Sequence, residues 1–184
     1  MNKFVFNIIL ILLFLSACKN NHQPAREPVS HEKQKVDMES VKNNRELNRR
    51  EENFIKKMIA EDSLHHYIDS GHGFWYYYEK KSTDNSAAPQ EGDIVNLEYE
   101  IRDLSGNVIY ALNEIGQKNY RVDHENLFRG FREGVKLLKK GEAAWFLFPS
   151  NAAYGYHGDE NKIGSNIPLK VYIKINKITK SKKE

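Results

Sequence analysis

The chain has 184 residues, room for one folded domain with appended segments but not for two large ones. Hydrophobic residues make up 40% and charged residues 29%; 28 basic against 25 acidic side chains leave a formal net charge of +3, too weak a surplus for nucleic-acid binding, which needs basic residues concentrated on one face. The single cysteine excludes an intramolecular disulfide, so the fold relies on its apolar core.

The first element in chain order is an apolar run. Phe4 to Leu15 is apolar except for Asn7, and Lys3 precedes it. Twelve residues are short for a membrane span but match the apolar core of a secretory signal. Leu15-Ser16-Ala17-Cys18 follows directly. This run resembles a bacterial lipoprotein signal, which implies removal of residues 1–17 and acylation of Cys18, palmitate among the chains, as the mature N-terminus. Each buried methylene adds about 0.8 kcal/mol, so several acyl chains on one residue make a stable membrane anchor. By the same resemblance, Lys19 in place of Asp implies the outer membrane, with the domain facing the periplasm.

Residues 18–43 are polar, contain Pro24 and Pro28, and offer little apolar surface to offset ordering entropy; they read as a flexible tether. Residues 44–72 read as a helical extension. Over 44–69 charge is dense, and Leu47, Phe54, Ile55, Met58 and Ile59 recur at helical spacing. Gly71 and Gly73 are the expected stop. The stripe fits docking on the following domain or pairing with a second copy of the chain. Docking is favoured because the stripe is short and lacks sustained heptads.

From Gly73 to residue 180 the signals are mainly β. Phe74 to Tyr78 reads as an aromatic strand. Val95, Leu97, Tyr99 and Ile101 alternate with polar residues, and Ser105-Gly106-Asn107 turns the chain toward Val108-Ile109-Tyr110. Residues 119–122 suit a short strand. Gly130 to Lys140 reads as a short helix with Phe131, Val135 and Leu138 on one face. Glu142 to Phe148 is an apolar strand, and Leu169, Val171, Ile173 and Ile175 alternate through a last one. One short helix among about five strands predicts an α+β fold, an antiparallel sheet curved around that helix.

Conventional catalytic patterns are missing: there is no phosphate loop and no nucleophile elbow. His65, His66 and His72 match no common metal spacing, and neither metal nor cofactor is expected. Aromatic and glycine residues instead recur in a characteristic order. Val95-Asn96-Leu97-Glu98-Tyr99 is followed by Gly106. Then come Leu127-Phe128-Arg129-Gly130-Phe131-Arg132-Glu133-Gly134, Ala153-Tyr154-Gly155 and Ile163. This order resembles the FKBP-type peptidyl-prolyl isomerases, over about residues 73–179. With the lipoprotein signal and helical extension, the chain resembles the gliding-motility-associated FKBP lipoproteins of Bacteroidetes-type bacteria.

The resemblance implies an FKBP-like sheet and a pocket. Phe131 stands for the family's floor Trp under the proline ring, and Tyr99 is a wall. Leu127 and Phe128 form the strand-to-helix corner, where the Phe128 N–H donates to a ligand carbonyl. The Tyr154 hydroxyl bonds a second carbonyl, and Ile163 closes one side. Tyr110 stands where the family has an acid, which implies a less acidic pocket. Tyr120 fills the space of a family Phe that aligns with Lys118, and Val171 replaces a second Phe. Tyr99, Phe131 and Tyr154 are thus the expected catalytic residues; Tyr110, Tyr120, Leu127, Phe128, Ile163 and Val171 are the expected substrate contacts.

These residue types suit the chemistry. The prolyl amide rotates over a barrier of roughly 18–20 kcal/mol through a twisted state with less charge separation than the planar amide. A dry aromatic pocket favours that state, without nucleophile or metal. Separately from the resemblance, Tyr154 lies in a glycine-flanked loop, where exposure at a binding site is expected. The implied partners are proline-containing segments of exported proteins.

Overall fold

The computed structural model describes residues 38–83 and 86–181; the signal run, Cys18 and most of the tether lie outside the described residues. The chain divides into two units, Met1–Ser40 and Val41–Glu184. Of the first unit only residues 38–40 are described, and they form the opening turn of helix α1, Met38–Glu61.

Helix α1 begins six residues before the expected start at 44 and ends well short of Gly71. Its early start has a plain cause: the prolines that argue for a tether lie upstream, and residues 38–43 contain neither Pro nor Gly. Its early stop is the work of Asp62. That carboxylate accepts from the Leu64 N–H at 2.9 Å and the Tyr67 hydroxyl at 2.9 Å, and sits 2.8 Å from the His65 ring nitrogen. The His65 hydrogen bond, then the Leu64 N–H, hold the Asp62 carboxyl down at about 2 against the opposing effect of burial. An Asp side chain that bonds nearby backbone draws the chain out of the helix. Gly71 and Gly73, at positive φ, instead turn the chain between strand β1 (Ile68–Asp69) and strand β2 (Trp75–Lys80).

The remaining elements are β3 (Ile94–Asp103), β4 (Val108–Tyr110), the four-residue helix α2 (Leu112–Ile115), β5 (Lys118–Arg121), helix α3 (Arg129–Val135), β6 (Ala143–Phe148) and β7 (Leu169–Thr179). Among the described residues they form an antiparallel seven-stranded sheet in the order β1-β2-β6-β7-β3-β4, with β5 also paired to β3. Register follows the apolar alternation: Leu97 faces Ile175, Tyr99 faces Ile173, and Ile101 faces Val171.

One face of this sheet packs on α3. Phe131, Val135, Leu138, Phe146, Phe148, Val171 and Ile173 are all fully buried there. Each such side chain contributes about 1.5–3 kcal/mol relative to exposure. Elsewhere α1 docks through Ile55, which is fully buried against Trp75 and Leu147. Phe54, on the same expected stripe, is 55% exposed.

Candidate active site

Strand β3, the corner before α3 and the loop after β6 bring the aromatic residues together. Alternation on β3 points Tyr99 toward α3, where its ring meets the edge of Phe131 at 5.0 Å and 73°. Phe128 is extended (φ −61°, ψ 151°) just before α3, and its carbonyl accepts from the Arg132 N–H at 3.2 Å. Its own N–H precedes the helix, so no intrahelical carbonyl can accept it. The Phe128 ring contacts Phe131 at 5.7 Å and Tyr154 at 4.9 Å.

Gly130 makes this corner close. A Cβ there would stand 2.5 Å from Phe148 and 2.8 Å from the Ala152 carbonyl, which instead accepts the Gly130 N–H at 2.7 Å. The start of α3 and the loop carrying Tyr154 are thereby joined backbone to backbone.

Two adjacent hollows, each of about 410 Å³, open on this cluster. The first is lined by Tyr99, Tyr110, Tyr154 and Asp159, with Glu114 and Lys118 on its charged side. The second is lined by Leu127, Phe128, Ala153, Tyr154 and Asp159. Tyr154 and Asp159 belong to both and form the ridge between them. Among the described residues no group hydrogen-bonds the hydroxyls of Tyr154 or Tyr99. Burial, then the neighbouring Tyr99, Asp159 and Tyr110, push the Tyr154 phenol up to about 12. Burial also raises Tyr99. Both remain neutral donors at any physiological pH.

Other expected contacts stand elsewhere. Phe131 is 0% exposed and lines neither hollow; it sits one layer behind Tyr99 and Phe128 and braces both rings. Tyr120 is buried at the edge of Phe131, and its hydroxyl accepts the Asp123 N–H at 3.1 Å. Val171 is core, paired with Ile101 and Phe146 in the sheet. Ile163 is buried as well, and its N–H bonds Asp159 at 2.7 Å. Burial against bulky sheet neighbours removes these four from the hollow surface.

Asp159 corrects the expectation of a less acidic pocket. Tyr110 does occupy the wall, but its hydroxyl donates to Asp159 at 2.5 Å, so the loop after Tyr154 supplies a carboxylate. Burial would raise the Asp159 carboxyl; the Tyr110 hydroxyl and the N–H groups of Ile163 and Asn161 outweigh it and hold the carboxyl below its usual range. Lys162 lies over the Tyr110 ring at 4.8 Å and pairs with Glu114 at 2.5 Å. In the sequence, Gly158-Asp159-Glu160-Asn161 signals a turn but says nothing of a partner 49 positions away.

An aromatic groove with two free phenols, beside a helix-start N–H and inside an antiparallel sheet wrapped on a short helix, suits a peptide-binding isomerase. The family model described as FKBP-type peptidyl-prolyl cis-trans isomerase matches residues 85–176. The chain belongs to the FKBP-type peptidyl-prolyl cis-trans isomerase family. It is 33% identical over 147 residues to "Probable FKBP-type peptidyl-prolyl cis-trans isomerase FkpA" of Neisseria meningitidis serogroup B, covering 80% of this chain and 50% of that protein. The chain thus spans about half the length of that relative. FkpA from Escherichia coli superposes with a TM-score of 0.60 at 20% identity, over 77% of this chain and 64% of that one. A Pseudomonas syringae peptidyl-prolyl cis-trans isomerase superposes at 0.59 and 18% identity, over 74% and 96%. At these identities the superpositions establish the FKBP-like fold alone.

Proposed function

We propose that this protein isomerises Xaa–Pro bonds of exported envelope proteins as they fold. The observation that carries the proposal is the ridge residue Tyr154: a neutral phenol with no partner among the described residues, packed on Phe128 and shared by two hollows. A peptide laid across that ridge receives hydrogen bonds from the Tyr154 hydroxyl and the Phe128 N–H on its carbonyls. The aromatic walls shelter the prolyl amide from water. Withdrawing water penalises the charge-separated planar amide more than the twisted one, and the fixed donors hold the flanking peptide while the bond rotates.

The anchor at Cys18 and a place on the periplasmic face of the outer membrane are part of this proposal. They are supported by the Leu15-Ser16-Ala17-Cys18 run and Lys19. A role in a gliding-motility assembly is supported by the resemblance of signal, helical extension and domain together. A dimer through α1 has as its support the exposed Phe54 on that helix.

A protease-coupled or exchange assay on a short Xaa–Pro peptide tests the activity. Turnover above the uncatalysed rate is expected. A second reading, in which the groove grips prolyl segments without turnover as a scaffold or holdase, is favoured by two observations: Phe131 is fully covered, and Glu114 and Lys118 make the first hollow partly charged. Peptide affinity with no rate above background would select that reading. Mass spectrometry of the mature N-terminus tests the lipid on Cys18.

A further inference from the structure

Helix α1 reaches the loop that carries Tyr154 through one buried carboxylate. Glu51 is 8% exposed. Its Oε2 accepts the Ser150 N–H at 2.7 Å, and its Oε1 accepts the Ser150 hydroxyl at 2.8 Å. Both oxygens are taken by one residue 99 positions away. The Ser150 carbonyl accepts the N–H groups of Ala153 at 3.0 Å and Gly155 at 2.9 Å, the two neighbours of Tyr154. Ala152, between them and Ser150, accepts the Gly130 N–H at 2.7 Å beside the Phe128 corner. Hydrogen bonds, together with the short chain segment from Ser150 to Ala152, therefore link α1 to the backbone on either side of Tyr154 and to Gly130, two residues after Phe128. Hydrogen bonds to a carboxylate are short and directional, and two on one residue fix its orientation. Ile55, one turn on, also docks the helix, on Trp75 and Leu147.

The geometry points to Glu51 as a positioning residue, acting through Ser150 to hold the Tyr154 hydroxyl and the Phe128 N–H at the spacing a bound prolyl peptide needs. This inference rests on the proposed isomerase reading of the groove. Glu51 touches no substrate.

The full chain carrying Glu51→Ala tests it. That variant is expected to lose about tenfold in kcat/KM for an Xaa–Pro peptide, most of it in kcat. Glu51→Gln should recover to within about threefold, because the amide oxygen still accepts the Ser150 N–H and the amide N–H can donate to a rotated hydroxyl. The backbone amide resonances of Ser150, Gly155 and Gly130 should shift in the Ala variant and return in the Gln variant. These are read where tryptophan fluorescence from Trp75 and Trp145 matches the parent chain. If Glu51→Ala does not fold, Ser150→Ala removes the hydroxyl bond alone and should cost about threefold. Unchanged Gly155 and Gly130 resonances with unchanged kcat in the Ala variant, or a kcat loss that Gln does not recover, would overturn the inference. A parent chain with no turnover removes the isomerase reading instead; the same resonances, read with peptide affinity, then decide whether Glu51 orders the loop.

Discussion

Tyr154 separates function from stability at the scale of one residue. Its hydroxyl has no partner among the described residues, so Tyr154→Phe removes the proposed ligand contact and no hydrogen bond within the described residues. Isomerisation should fall about tenfold, while the unfolding free energy moves by less than about 0.5 kcal/mol. Peptide turnover and a urea titration measure the two. Tyr110 makes the opposite case, because its hydroxyl is engaged by Asp159. Tyr110→Phe should let the Asp159 carboxyl rise, since burial already pushes it upward and the Tyr110 bond is a main opposing effect. A carboxyl titration followed by NMR would reveal the direction; a fall in Asp159 would contradict it.

Two helices support the loop that carries Tyr154. Helix α3 approaches the sheet through Gly130, where a methyl group would collide with Phe148 and the Ala152 carbonyl. Gly130→Ala should cost about 1–3 kcal/mol through overpacking and also displace the Tyr154 loop, so the unfolding midpoint and turnover fall together. Helix α1 docks by Ile55, with zero exposure. Ile55→Ala should cost about 2–5 kcal/mol from lost burial and the cavity left on Trp75 and Leu147. Thermal unfolding with tryptophan fluorescence detects both. An unchanged midpoint for Ile55→Ala would mean that burial of Ile55 contributes nothing to domain stability.

For the whole molecule, the groove should work over a broad pH range. The Asp159 carboxyl is held below its ordinary value of 3.8 and the Tyr154 phenol is raised to about 12. A depressed carboxyl contributes fully above its unfolded value and loses that contribution as pH falls through the folded one. For Asp159 this window lies below 3.8. The raised phenols of Tyr99 and Tyr110 lose their protons only above 10. The rate should therefore be level between about pH 5 and 9 in a pH profile of kcat/KM. A bell centred near neutrality would implicate a titrating group outside this set.

The sheet was legible in the sequence because strand periodicity is local. The alternation of Val95 to Ile101 and of Leu169 to Ile175 is a property of each segment, and burial of one face turns it into pairing. The aromatic order from Tyr99 to Tyr154 was legible for a related reason: those residues carry the family resemblance wherever the chain places them. Only the tertiary structure decided which aromatics face the groove. Phe131, Tyr120, Ile163 and Val171 lie behind it because neighbours distant in sequence cover them. It also decided how Asp159 reaches Tyr110 and that Glu51 meets Ser150, whereas α1 ends on the local bonds of Asp62, which hydrophobic spacing does not register. Such bonds join residues tens of positions apart, or depend on one side chain outcompeting the helix. Periodicity carries no record of either.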